Sequence, residues 1–250
     1  MVRSWPLGAL FAAALLAAPP GLAEDKIVRL TSLEWPPYAS AKMPEGGASV
    51  AVARAAFAAV GYSLEVQFLP WNRAVETAQT ESGVAGYFPE YTSPEVAAAW
   101  SLSAPLGTSP LGFAEATERP ASWATLDDIA KLKVGVVKGY VNTAEIDARI
   151  AAGTLPVDGA PDDLTNLRKL AAGRLDLAVI DANVMRHLLR NEAALGEARD
   201  KLRMNAKPLE DKTLHICFRK DAEGERLRAL FDEGLAKIDA AAIRAKFTAG

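Results

Sequence analysis

The sequence predicts an α/β protein of two similar lobes, because it states one pattern twice. In each copy an amphipathic helix, a glycine stop and a short apolar strand ending on an acidic residue follow one another, about ninety residues apart. The first copy runs from Pro70 through Gln79, stops near Gly83 and continues as Val84-Ala85-Gly86-Tyr87-Phe88-Pro89-Glu90. The second runs from Asp163 through Gly173 and continues as Leu175-Asp176-Leu177-Ala178-Val179-Ile180-Asp181. Two further observations agree. The chain opens on a β-α-β pattern, the start of a parallel sheet, and a late strand near 213–218 is followed only by helix, as in a chain that returns to its first lobe.

Residues 1–23 stand apart from the fold. Met1-Val2-Arg3 is a short basic start, and the apolar run Leu7–Ala18 is shorter than the roughly twenty residues that span a bilayer. With small residues in Gly21-Leu22-Ala23, this reads as a secretory signal cleaved after Ala23. The only cysteine, Cys217, lies too far along to carry a lipid at the cleavage site, so the mature chain is expected to be unanchored and exported. Without a second thiol there is no internal disulfide, and a core must supply stability. The 227 residues left after cleavage are enough for one. Setting Arg3 aside leaves 27 basic against 31 acidic residues, a balance that argues against a nucleic-acid surface.

Lys26–Ser32 is expected as the first strand, which Glu34-Trp35-Pro36-Pro37-Tyr38 ends as a rigid aromatic loop because proline lacks a donor and fixes φ. Gly47–Val60 spaces Val50, Ala53, Ala56 and Phe57 as a helix stopped at Gly61. Leu64–Leu69 then alternates as a half-buried strand. After the first copy of the repeat, Ser101–Ala116 is rich in Pro, Gly and Ser and reads as a passage between lobes. A short capped helix at Thr125–Ile129 leads to a strand at Lys133–Val137 and a turn at Lys138–Val141. Asn142 and Glu145 are spaced as cap and third residue of a helix reaching Ile150. The second copy follows, then a helix over Asn183–Arg190, a strand over Thr213–Phe218 and a final helical segment over Glu223–Phe247.

In open α/β sheets ligands gather beyond the carboxyl ends of strands, so Glu90 and Asp181 are candidates to face one site. Trp35, Trp71, Tyr87 and Tyr91 lie near the same strand ends, and Tyr140 and Asn142 sit at the start of a second-lobe helix. Each has a plainer reading. Asp181 is well placed to cap the following helix, Trp71 could be core, Arg73 could pair on its helix face, and Asn142 could serve first as a cap. His187 and His215 have no nearby His or Cys partners, so no metal is expected, and no cofactor motif appears. No Gly-x-Ser-x-Gly elbow, His-Glu-x-x-His pair or phosphate loop is present, so no catalytic residue is assigned.

A series of segments resembles the extracellular solute-binding proteins of ABC importers, in the family that mostly binds polar amino acids. They are Leu33-Glu34-Trp35-Pro36-Pro37-Tyr38, Leu69-Pro70-Trp71-Asn72-Arg73-Ala74, Leu126-Asp127-Asp128-Ile129 with Val134-Gly135-Val136-Val137-Lys138-Gly139, and Ala171-Ala172-Gly173-Arg174-Leu175 through Asp181. The resemblance implies a periplasmic-binding-protein (type II, Venus flytrap) fold with a mixed, mostly parallel sheet in each lobe. One lobe would hold 24–110 and a return segment at 209–250, the other 111–208, with hinge segments near Ser109–Ala116 and Asn205–Thr213. It implies a monomer in the periplasm that binds a small polar solute, an amino acid or amine-like compound, and passes it transiently to a membrane ABC permease. Alternatives on the same fold are a ligand-sensing partner of a membrane receptor and a dehydratase-like enzyme. Ligand contacts are expected from Trp35, Trp71, Arg73, Tyr87, Glu90, Tyr140, Asn142 and Asp181. One departure matters: the family's arginine for the ligand carboxylate is missing, because Ala74–Glu118 contains no Lys or Arg. Asp181 falls where the family places the acid for the amino group. The cleft is therefore expected to be acidic and aromatic, suited to a cationic or neutral polar ligand.

Overall fold

Two parallel three-stranded blocks are joined by two long antiparallel strands that run side by side. The computed structural model describes residues 1–2 and 26–248. All but the first two residues of the expected signal segment therefore lie outside the described residues. In chain order the elements are β1 (Ile27–Ser32), α1 (Ala48–Ala58), β2 (Ser63–Phe68), α2 (Trp71–Thr80), β3 (Gly86–Tyr91), α3 (Pro94–Ala99), β4 (Ser101–Leu102), β5 (Gly107–Ala116), α4 (Leu126–Ile129) and β6 (Val134–Val137). There follow α5 (Ala144–Ala151), β7 (Val157–Ala160), α6 (Asp163–Ala171), β8 (Leu177–Asp181), α7 (Ala182–Asn191), β9 (Leu202–Met204), β10 (Glu210–Phe218), α8 (Ala222–Leu235) and α9 (Ala240–Thr248).

The sheet order is β2-β1-β3-β10-β5-β8-β6-β7. Strands β2, β1 and β3 are mutually parallel and form the first lobe's block; β8, β6 and β7 do the same for the second. Strand β10 pairs antiparallel with β3 along one stretch and with β5 along another. Strand β5 in turn pairs antiparallel with β8. The β5–β10 ladder, Gly107 opposite Leu214 through Leu111 opposite Glu210, is thus the crossing between lobes. The fold is the two-lobed α/β arrangement expected from the sequence.

Both copies of the repeat form as read. Helix α6 ends on Gly173 (φ 70°) just past its cap Ala172, while α2 ends at Thr80 on an extended Glu81 and Gly83 (φ 86°) sits in the turn beyond; both glycines hold left-handed positions that a side chain would strain. Strands β3 and β8 are buried along their whole length. In the first lobe Phe57 of α1, Phe218 of β10 and Phe231 of α8 meet with ring centroids 5.5 to 6.5 Å apart, all fully buried. Gly234 of α8 lies against the Ala56 carbonyl so closely that a Cβ there would overlap it, which fixes glycine at the α1–α8 crossing. Cys217 is free and buried in β10.

Four readings are corrected. Ser101–Ala116 is not a loop passage, since most of it is the ten-residue β5, with Pro110 accommodated opposite Asp211. The late strand begins at Glu210 rather than Thr213, because its first residues complete the ladder with β5. The final helical segment is two helices: Asp239 Oδ1 accepts from Ala242 N at 2.9 Å, so a new helix is capped within the segment. The cap of α5 is Thr143, whose hydroxyl accepts from Ile146 N, while Asn142 instead pairs with Asp147.

Candidate functional site

The cleft between the lobes is walled by aromatic rings that the loops after β1, β3 and β6 and the start of α2 bring together. After β1 the Trp35–Ala39 bridge folds the Pro36-Pro37 loop back on itself and stacks Trp35 on Tyr38, centroids 4.6 Å apart. Trp71 opens α2 behind Pro70, and its indole N–H donates to the Gly139 carbonyl in the second lobe at 2.8 Å. Gly139 has φ 85°, and its missing Cβ leaves room for Asn72 and Trp71. Tyr140, next along the same turn, meets Trp71 edge to face with centroids 5.5 Å apart. Trp35 and Tyr91 form a second such pair at 6.1 Å. These four rings, with Glu90 and Leu33, wall a small cavity of about 20 Å³.

Three carboxyl groups are buried in and around this cleft. Glu90 is 6% exposed; its Oε1 accepts from Tyr91 N at 2.7 Å and its Oε2 from Tyr87 OH at 3.2 Å. Burial pushes its carboxyl up to about 8, against the opposing pull of those two donors and the Lys212 charge. Asp163, at the start of α6, accepts from the Trp35 indole at 3.1 Å across the cleft, and burial raises it to about 7. Asp181 is raised by burial too, although every hydrogen bond it accepts works the other way.

Asp181 performs the capping role foreseen for it: Oδ1 accepts from Asn183 N at 2.6 Å and Val184 N at 2.8 Å. Its second oxygen accepts from Ser109 Oγ at 2.5 Å and Tyr38 OH at 3.0 Å. Ser109 also bonds Tyr91 OH. Because the serine's one hydrogen goes to Asp181, the tyrosine donates to the serine. A chain Tyr91–Ser109–Asp181 therefore runs from the cavity wall through β5 to α7.

The structure brings Trp35, Trp71, Glu90 and Tyr140 to the cavity and sets Tyr87 directly behind, packed on Trp71 and bonded to Glu90. Asp181 sits one layer back. Asn142 is buried against Asp147, and Arg73 is 70% exposed beside Glu76, away from the cavity wall. Sequence reasoning passed over Tyr38, Ser109, Asp163 and Lys212. Lys212 is 6% exposed, with its Nζ 3.5 Å from Glu210 and 5.6 Å from the Tyr91 ring centroid. A signal for it existed, since Lys212, Leu214 and Ile216 alternate onto the buried face of β10.

Known structures with the same architecture decide the fold. A histidine kinase sensor domain described as similar to periplasmic binding proteins superposes with a TM-score of 0.75, 22% identity, and coverage of 90% of this chain and 97% of that one. The solute-binding-protein fold is shared. An amino acid ABC transporter substrate-binding protein, AbpA of Streptococcus pneumoniae bound to L-arginine, gives 0.71 at 17% identity, covering 90% of this chain and 93% of the other. The ancestral amino acid-binding protein AncCDT-1, a precursor of cyclohexadienyl dehydratase, gives 0.68 at 16%, covering 89% and 95%. No protein-family model and no curated protein matches the sequence. Among the described residues no helix is long and apolar enough to cross a membrane.

Proposed function

We propose that this chain is a periplasmic solute-binding protein that captures a small polar solute between its lobes and delivers it to an ABC importer. In this reading residues 1–23 are removed on export, 24–110 with 209–250 form one lobe and 111–208 the other, and the protein works as a monomer that meets its permease transiently. The observation that carries it is the cavity, whose walls come from both lobes, so that a bound solute would favour the arrangement in which the lobes meet. The solute is released unchanged; the cleft binds and does not turn over.

The test uses the mature protein, unfolded and refolded to strip ligand. A solute that prefers the native state raises the unfolding midpoint by mass action, and one that draws the lobes together lowers the radius of gyration in X-ray scattering. A panel of amino acids, amines and neutral solutes should contain at least one that does both and is recovered intact. A solute recovered chemically altered would refute binding without turnover. A second reading, a ligand sensor for a membrane receptor, is favoured by the sensor domain's likeness over 97% of its length. Co-purification of the solute-loaded protein with a permease complex, against a receptor, separates the two.

A further inference from the structure

We propose that the cleft selects a compact organic cation bearing no carboxylate, held in a cage of Trp35, Trp71, Tyr91 and Tyr140 against Glu90, and that capture expels a proton from the protein. This rests on the reading of the cleft as the ligand site and narrows what that site takes.

The cage argument is geometric. Two edge-to-face pairs, Trp71 with Tyr140 (interplanar 82°) and Trp35 with Tyr91 (76°), line one small cavity, with the first pair bridging the lobes. A cation surrounded by ring faces is attracted by their quadrupoles, more strongly where water is excluded. The cavity of about 20 Å³ has room for little more than a water molecule, so the rings must part to admit a ligand and a compact ion asks the least of them.

The wall carries a carboxyl and no Lys or Arg, so a ligand carboxylate would find no cation to pair with there and, above about pH 8, would face the Glu90 carboxylate. The nearby cation, Lys212, lies beside Glu210 and behind the Tyr91 ring. Asp163 and Asp181 are further buried carboxyls beside the cleft, and among the described residues no cation pairs with either. Ligands with a free α-carboxylate are therefore disfavoured and amines or quaternary ammonium ions favoured.

Proton release follows from what surrounds Glu90. On its own strand Tyr87 and the Tyr91 backbone bond it. From β10 Lys212 favours its charged form, and Cys217 is a buried thiol held neutral. From α5 Asp147 opposes the charge. His215, opposite Glu90 in the β3–β10 pairing, has both ring nitrogens engaged, by the Ser103 carbonyl and the Thr213 hydroxyl. Burial keeps the phenols of Tyr87, Tyr91 and Tyr140 neutral. With its carboxyl raised to about 8, Glu90 is mostly protonated at pH 7. A fixed positive charge placed against it restores the carboxylate, and the proton leaves to solvent.

Isothermal titration calorimetry of the ligand-stripped mature protein tests this with tetramethylammonium, choline, the neutral choline isostere 3,3-dimethylbutan-1-ol, L-arginine, L-glutamine and L-glutamate. The expected result is binding of choline or tetramethylammonium roughly tenfold or more tighter than the neutral isostere. Affinity should rise by up to about tenfold per pH unit from pH 6 and flatten above about 8, with close to one proton released when buffers of different ionisation enthalpy are compared. Glu90→Gln, whose amide oxygen still accepts from Tyr91 N, should stay folded, lose the pH slope and bind choline roughly tenfold more weakly at pH 8. Cations bound with no proton release would overturn the exchange. Amino acids bound in preference to cations, with that binding lost in Trp71→Ala, would overturn the cation class while leaving the cleft as the site. A panel that binds nowhere, or binding that survives both Trp35→Ala and Trp71→Ala, would remove the cleft reading itself.

Discussion

Glu90 should make the protein less stable as pH rises, and the size of the effect can be worked from its surroundings. Its carboxyl goes from 4.5 in the ordinary case to about 8 in the fold. Below 4.5 both folded and unfolded chains hold the proton and the group contributes nothing. Between 4.5 and 8 the folded chain keeps a proton the unfolded one has lost, so stability falls with rising pH, by about 1.4 kcal/mol per unit. Glu90 alone then removes about 2–3 kcal/mol between pH 5 and pH 7. Asp163, raised by burial from 3.8 to about 7, acts with the same sign. Glu90→Gln never ionises and should take its own share of the slope away. Urea denaturation of both proteins at pH 5, 6, 7 and 8, at constant ionic strength, reads this directly. Wild type should lose stability across the series and the variant should lose about 2–3 kcal/mol less between pH 5 and 7. Parallel curves would refute the premise that folding carries Glu90 into a dry cleft.

Trp35→Phe keeps an aromatic face, though a smaller one, and removes the N–H that reaches Asp163 across the cleft at 3.1 Å, so it should cost at least about 1–2 kcal/mol and enlarge the radius of gyration in X-ray scattering. Gly139→Ala places a Cβ at φ 85° against the Asn72 carboxamide; about 1–2 kcal/mol of strain and a parting of the lobes are expected, seen in the same two measurements. Asp181→Ala removes the α7 cap and the acceptor for the Ser109 and Tyr38 hydroxyls, a loss of about 2–4 kcal/mol in urea melts, whereas Asp181→Asn should recover part of it.

The elements that could be read from sequence were those whose own residues announce them. Helices α2 and α6 show apolar spacing with a glycine stop, and β3 and β8 are short apolar runs bounded on both sides. Strands set by their neighbours gave no such signal. Val157–Ala160 contains Asp158 and Gly159, and it is a strand because β6 offers it a parallel edge. Strand β5 is masked by Pro110, whose ring suggests a loop; the residue can sit there because the ladder continues on either side of it. In the site, strand-end aromatics and Glu90 were visible because position along a strand predicts them. Asp163 was not, since its role depends on an indole from a loop 128 residues away.

The cleft sets two opposing effects against each other. Three hydrogen bonds from aromatic side chains of the first lobe to acceptors in the second draw the lobes together: Trp35 to Asp163, Trp71 to the Gly139 carbonyl, and Tyr38 to Asp181. Burying Glu90 and Asp163 charged works against them, because ionised groups lose their water when the lobes meet. At neutral pH the protein can relieve that cost only by holding protons or by taking in a positive charge. The same carboxyls that penalise closure therefore make it responsive to a cation, which gains most in the arrangement where those groups are driest. A neutral ligand of equal size would meet the same rings without relieving the buried acids, so it would shift the equilibrium between lobe arrangements less.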